Sequence, residues 1–291
     1  MTGSGPDATA SRWTTLAEAP GLLPSVRDLE ERDAAPFLVA LTERHRGHLD
    51  ASAPESQFVG LDAEGAPLVV VRAVALRWNG TTSDAPAGGA GDVVEAGETA
   101  ASADGADTLA VLDVRVRADR RGQGIGRRVL GELPGLAAAA GLDRLLLLVR
   151  PHAKQHHPLV PFARYVAATD ASGRPLDGWL AAAWDAGLHP VLAVDRSLRA
   201  RAPLADFARW YGRAFPTSGP YLLPGAIKPA VVELERAEGR YREPHLWMAP
   251  AADLAQRAVE ASALRVPEDA WRRALAATGL VVHGRRHRRP D

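Results

Sequence analysis

Residues 114–130 read VRVRADRRGQGIGRRVL, and the fold is decided there. On the upstream side, Leu109–Val116 alternates in the manner of a strand. Downstream, Arg127–Ala140 places Val129, Leu130, Leu133 and Leu136 on one helical face, with Pro134 predicting a kink. Arg144–Val149 is a continuous aliphatic run of the kind found in buried parallel strands. Strand, turn, helix and strand make a βαβ unit. Within the turn, Gly122, Gly124 and Gly126 let the backbone bend tightly and aim several amides at one point. That point lies at the positive end of the following helix dipole, so the turn suits a pyrophosphate. Arg121 and Arg127 can add charge. The same glycines could also serve a purely structural turn. No Lys-Ser/Thr pair follows the last glycine, as a P-loop requires, and the spacing is not that of a Rossmann fingerprint.

Working outward, Gln57–Leu61 and Pro67–Leu76 read as strands joined across Asp62–Ala66. Val26, Leu29, Phe37, Leu38 and Leu41 predict two short helices between Ser25 and His45, broken at Pro36. Residues 83–107 are rich in glycine, alanine and acidic side chains. They read as a long loop around a short helix at Asp92–Ala96, either a mobile insertion or a substrate lid. Phe207, Trp210, Tyr211 and Phe215 form an aromatic group expected to pack over the substrate end, and Val231–Leu234 reads as a strand. The expected division is a disordered leader at 1–12, one large domain at 13–250, and a helical extension at 251–291. Leu254, Ala258, Trp271 and Leu275 mark that extension, which ends in the basic tail HGRRHRRPD.

Composition narrows the partners. The chain has 291 residues, 46% of them hydrophobic, enough for a full core. Lys plus Arg total 35 and Asp plus Glu total 35, so the excess of charge that would favour nucleic acid or an acidic membrane is missing. With no cysteine, disulfides, thiolate metal sites and a cysteine nucleophile are excluded. The opening residues lack a signal-peptide pattern, and Leu145–Val149 is too short to span a bilayer, so a cytoplasmic location is expected.

The pattern R-x-x-G-x-G after a strand, met here as Arg121 to Gly126, resembles the acyl-CoA signature of GNAT acetyltransferases. Further segments resemble a long bacterial GNAT subfamily of unknown substrate: RWNGTTSDAP (77–86), LVRPHAKQHHPLVPFARY (148–165), DGWL (177–180), FPTSGPYLLPGAIKP (215–229) and GRYREPHLWM (239–248). The resemblance implies an α/β (α+β) fold with a central, mostly antiparallel mixed sheet, splayed at the acyl-CoA site and flanked by helices. It also implies transfer of an acetyl or other short acyl group from its CoA thioester to a primary amine of a small molecule, within a ternary complex. Val114 and Val116 would line the pantetheine through their backbone. The cofactor turn would comprise Arg121, Gly122, Gln123, Gly124, Ile125, Gly126 and Arg127, with amides from Gln123 to Arg127 on the pyrophosphate.

Candidate chemistry lies beside this turn. Loops leaving the carboxyl ends of parallel strands border the ligand crevice, which makes Arg150, His152 and Lys154 candidate substrate contacts, joined by Trp78. Arg150 and Lys154 suit an anionic substrate group or the 3′-phosphate of CoA. His156 and His157 are adjacent and cannot readily face one ion together, so no metal is expected. Asp113 is the carboxylate nearest the expected thioester, and alternation puts it on the face opposite Val114. It is a candidate base, and Tyr165 a candidate proton donor or substrate contact. Trp179 and Trp184 read as core residues. In many GNAT proteins a tyrosine four residues before a glycine protonates the departing thiolate, and the subfamily usually has histidine there. In GWLAAAWDAG (178–187) that position is Ala183. Either another group serves, with His189, Trp184 or a water nearby, or the protein binds acyl-CoA without efficient transfer. Its missing histidine also argues against malonyl-CoA decarboxylation, for which related domains give precedent.

Overall fold

The computed structural model describes residues 10, 12–32, 34–100 and 105–254. Nine strands form one sheet: β1 (Arg12–Thr15), β2 (Gln57–Leu61), β3 (Pro67–Leu76), β4 (Thr108–Val116), β5 (Arg144–Val149), β6 (Leu188–Pro203), β7 (Gly219–Tyr221), β8 (Ala230–Glu233) and β9 (Glu238–Pro250). The order is β1-β2-β3-β4-β5-β9-β8-β7, with β6 also on β9. Only β4 and β5 run parallel, and every other pairing is antiparallel. This is the mixed, mostly antiparallel sheet that the resemblance implies.

The βαβ unit is formed as expected. Helix α4 (Ile125–Ala139) carries β4 across to β5 and buries Val129, Leu130, Leu133 and Leu136 against the sheet. Pairing of β4 with β5 stops at Val111↔Leu147. Beyond it, β4 continues to Val116 along β3, while Leu148 and Val149 stay on β9. The two strands part, and the sheet is splayed.

A bulge sets what faces this opening. Across β3, Arg72 pairs with Asp113 and Ala73 with Val111, so Leu112 is the extra residue. Leu109 and Val111 pack toward α4; so do Val114 and Val116, which unbroken alternation would have turned away. Leu112 joins the core on the opposite face, with Ala110, Leu146 and Trp247.

That opposite face is covered by α1 (Leu23–Glu31), α2 (Pro36–Ser52) and α3 (Gly89–Ala100). Pro36 occupies the first turn of α2, where its missing N–H costs nothing. Residues 89–100 correct the expectation of a long loop. They form a helix with Val93 and Val94 buried against Val74, Trp247 and Ala249, so this segment is part of the core and not a lid. Arg72 lies within the buried run of β3 and is held by both oxygens of Glu30, at 2.7 and 2.9 Å, and by Asp50. This pins α1 and α2 to the sheet, and removing one member would leave a buried charge unmatched.

At the far end, Phe37, Phe207, Phe215 and Tyr241 form a separate apolar cluster, to which α7 (Leu204–Tyr211) contributes. The helical pieces expected around Ala258, Trp271 and Leu275, the basic tail, and most of the leader lie outside the described residues.

Candidate functional site: a cleft at the parting of two strands

The cleft at the splay has a volume of about 900 Å³. One wall is β4, through Val114, Arg115 and Val116, followed by Arg120, Arg121, Gly122, Gly124, Ile125 and Gly126, while the Gln123 side chain turns back to the Asp119 carbonyl at 3.4 Å. Gly122 and Gly124 have φ of 76° and 78°, a left-handed region costly for other residues. A Cβ at either would project into open space, so these two glycines serve conformation and leave the backbone approachable. Gly126 differs, since a Cβ there would meet the Trp179 ring at 3.0 Å.

Helix α4 starts after Gly124, which offers no side-chain cap. Arg128 N–H bonds the Gly124 carbonyl at 3.2 Å, which leaves the amides of Ile125, Gly126 and Arg127 without an intrahelical acceptor. Three unspent donors at the positive end of a 15-residue helix, open to a cleft, fit a pyrophosphate. Arg121 Nε donates to the Val116 carbonyl at 3.0 Å, which keeps its guanidinium beside the turn. Arg127 instead pairs with Asp185 at 3.2 Å, so its side chain is engaged away from the cleft.

The remaining walls carry Arg150, His152, Gln155 and Trp179, with Trp210, Tyr211, Pro224 and Gly225 from the C-terminal part and Ala34 to Leu38 opposite. Trp179 packs against the core as expected, and its partly buried ring also lines the cleft at the start of α6 (Gly178–Asp185) and abuts Gly126. His152 lines the cleft with its side chain exposed to it. Loss of hydration between the cleft walls, reinforced by Arg150, pushes its imidazole down to about 4, so it is neutral near pH 7.

Three sequence candidates lie elsewhere. Trp78 is fully buried in the core beneath α2 and α3, and its indole N–H donates to the Thr81 carbonyl at 2.8 Å. It follows β3, at the end of the sheet where β4 and β5 begin, so it cannot meet a ligand at their carboxyl ends. Lys154 is 1% exposed; its ammonium donates to the carbonyls of His157 (2.7 Å) and Ile227 (3.0 Å) and faces the Tyr165 ring. Burial lowers its pKa to about 8. It ties the loop after β5 to the loop before β8 and is not directed at the cleft. Tyr165, on α5 (Phe162–Val166), donates a hydrogen bond from its hydroxyl to Asp177 Oδ2 at 2.9 Å, and the same carboxylate accepts from the amides of Trp179 and Leu180. Burial, with this bond, raises the phenol pKa, and the residue buttresses the start of α6. Ala183 is fully buried in the core between α6 and the sheet.

A second, smaller cavity of about 120 Å³ lies on the other face, under α2 and α3. It shares Ala34, Leu38, Arg115 and Arg150 with the cleft, so these residues form the throat between the two. Asp113 faces this cavity, on the side of β4 away from Val114. It is 45% exposed and bonded to Arg115 at 3.0 Å. Burial raises its pKa, but Arg115, with His152 and Arg150, outweighs that and holds the carboxyl below the usual range. Sequence reasoning missed Glu243 and His245 on the opposite wall. Both sit in the GRYREPHLWM segment, and that concentration of polar residues inside a strand was the available signal.

No protein-family model matches the chain. An arginine N-acetyltransferase, avaD of Aspergillus versicolor, is 28% identical over 158 residues, covering 48% of this chain and 54% of that protein. The chain therefore matches about half the length of this curated relative. Two solved structures show looser likeness: the loading GNATL domain of CurA from Lyngbya majuscula (TM-score 0.46, 12% identity, 82% of this chain and 96% of that one) and the GphF GNAT-like decarboxylase in complex with isobutyryl-CoA (TM-score 0.46, 14% identity, 82% and 98%). The chain thus resembles an N-acetyltransferase over about half of its length, beside a glycine turn at an uncapped helix start and the parting of β4 from β5.

Proposed function

We propose that this chain is an acyl-CoA-dependent N-acyltransferase of the long bacterial GNAT subfamily, acting on a primary amine of a small molecule by direct transfer. The observation that carries the reading is the cleft itself. It is lined by Arg115, Arg120, Arg121 and Arg150, has no carboxylate in its lining among the described residues, and ends on the free amides of α4. That wall suits a ligand bearing several phosphates. The throat leads to a cavity of about 120 Å³. A recess of this size favours a small acceptor over a polypeptide. Asp113 is placed to hold an ammonium group there. Its depressed pKa makes it a better anchor than proton store, so the amine loses its proton mainly to water.

The competing reading is a catalytically weak acyl-CoA binder. It is favoured by Ala183, which has no proton to give, and by Tyr165, whose hydroxyl is committed to Asp177. Thermal shift with acetyl-CoA, followed by a thiol-release screen over small amines, separates the two. Ligand-induced stabilisation with turnover supports the enzyme, and stabilisation without turnover supports the binder. No shift at millimolar acetyl-CoA removes both.

A further inference from the structure

Arg150 occupies a position that the sheet creates. Strand β6 runs along the whole of one edge of β9, from Leu188↔Pro250 to Pro203↔Glu238, so β5 and β8 share the other edge. Their pairings end at Leu246 and begin again at Arg240. Glu243 lies within the gap and is fully buried. Arg150, the first residue after β5, places its guanidinium against it, with Nε on Oε1 at 2.6 Å and Nη2 on Oε2 at 3.1 Å. Nη2 also donates to the Gly225 carbonyl at 2.6 Å. Glu243 is fixed in turn by Tyr241 and by His245 Nε2 at 2.9 Å, and His245 Nδ1 meets Ser197 Oγ at 2.8 Å.

An arginine held through its Nε–Nη2 edge presents Nη1 on the far side of the plane. Nη1 has no partner among the described residues and is not among the buried unsatisfied atoms, so it is open to solvent at the throat. Arg115, the other cation there, is held by the same edge but more loosely, with Nε at 3.3 Å and Nη2 at 3.0 Å from one oxygen of the half-exposed Asp113, whereas Arg150 is seated on both oxygens of the buried Glu243. The throat thus holds a rigid, permanently charged donor with two free N–H bonds, in a site where neither Ala183 nor Tyr165 can deliver a proton.

We propose that Arg150 is a catalytic residue of the transfer, stabilising the negative charge on the thioester oxygen and then on the departing CoA sulfur in place of a general acid. The inference rests on the acyl-CoA reading above. In the step, the amine nitrogen forms a bond to the thioester carbon and the carbonyl electron pair moves onto oxygen beside Nη1. Collapse of the adduct breaks the C–S bond and returns the electron pair to the carbonyl. Sulfur leaves as thiolate, still paired with Arg150. The amine proton passes to water, and the thiolate takes one from water on release, so the net products are amide and free thiol.

The test reads the acidity of bound CoA, which needs no acceptor. CoA is titrated with pH in the unsubstituted protein, in Arg150→Lys, and in the double variant Arg150→Met with Glu243→Gln, which avoids an unmatched buried carboxylate. The ultraviolet absorbance of the thiolate is followed. The thiol should ionise at lower pH when bound to the unsubstituted protein than when free, less so in Arg150→Lys, and not at all in the double variant, with the Kd for CoA changed by only a few fold. With an active amine, kcat should fall about 10²–10³-fold in the double variant, the loss typical of one oxyanion donor. Bound CoA of equal acidity in all three proteins overturns the proposal, as does weaker CoA binding at unchanged kcat, which would make Arg150 a phosphate contact. CoA failing to bind the unsubstituted protein would instead overturn the acyl-CoA reading beneath it.

Discussion

Tyr165 and Gly124 show how one side chain, or the lack of one, separates support from chemistry. The Tyr165 hydroxyl serves Asp177, and no cleft surface is built from this residue. Tyr165→Phe should therefore cost about 1 kcal/mol of stability, the net worth of one hydrogen bond, and leave kcat unchanged. Urea unfolding and steady-state rates check this, and a hundredfold loss of kcat at unaltered stability would return Tyr165 to the reaction. Gly124→Asp should behave in the opposite way. The left-handed φ of 78° costs an ordinary residue about 1–2 kcal/mol, while the new carboxylate enters open space in front of the α4 amides. CoA affinity should be lost in a protein that still folds, as read by circular dichroism and calorimetric titration. Unchanged affinity would mean that the turn is not the pyrophosphate site.

At the scale of elements, α6 reaches the cleft only through its first turn, where Asp177 caps two amides and Trp179 rests on Gly126. Asp177→Ala should destabilise the fold by about 1–2 kcal/mol, as loss of an N-cap does. It should also raise the KM for acyl-CoA, because Trp179 loses its anchor; an unchanged KM in this variant would separate α6 from the binding wall. The elements legible in the sequence are those with local signals: the alternation of β4, the helical face of α4, the aliphatic run of β5 and the glycines between them. The bulge at Leu112 was not legible, because it is decided by pairing with β3 and leaves no mark on composition. The pair β6 and β9 was equally hidden, since arginines and prolines interrupt both strands and only their mutual pairing makes them regular. Arg150 could be recognised as a cation at the crevice. Its role depends on Glu243, 93 residues away, which no local pattern connects to it. Lys154 and Trp78 were misread for the same reason, as burial is a property of the assembled sheet.

For the whole molecule, the charges that shape the site also make stability depend on pH in a stated direction. The imidazole of His152 is held down to about 4 in the folded chain against an ordinary 6.5, chiefly through loss of hydration in the cleft and secondly through Arg150. Between these values the unfolded chain binds the extra proton, so stability rises with pH across the window and falls as the solution is acidified from 6.5 toward 4. Glu243 and Asp113 are both held below the ordinary carboxylate range, and their contribution is present at neutral pH. It is lost only at lower pH, as each is forced to accept a proton. Acid unfolding should therefore proceed in two stages, a decline attributable to the imidazole and a steeper one attributable to the carboxylates around Arg150 and Arg115. His152→Gln removes the first group while keeping a polar side chain at the cleft. Urea unfolding of both proteins at pH 7, about 5 and about 4 should show a flatter dependence in the variant over the upper window, and an unchanged dependence below it. Parallel curves throughout would mean that His152 titrates normally, and that the throat is wetter and less dominated by its arginines than the packing around it implies.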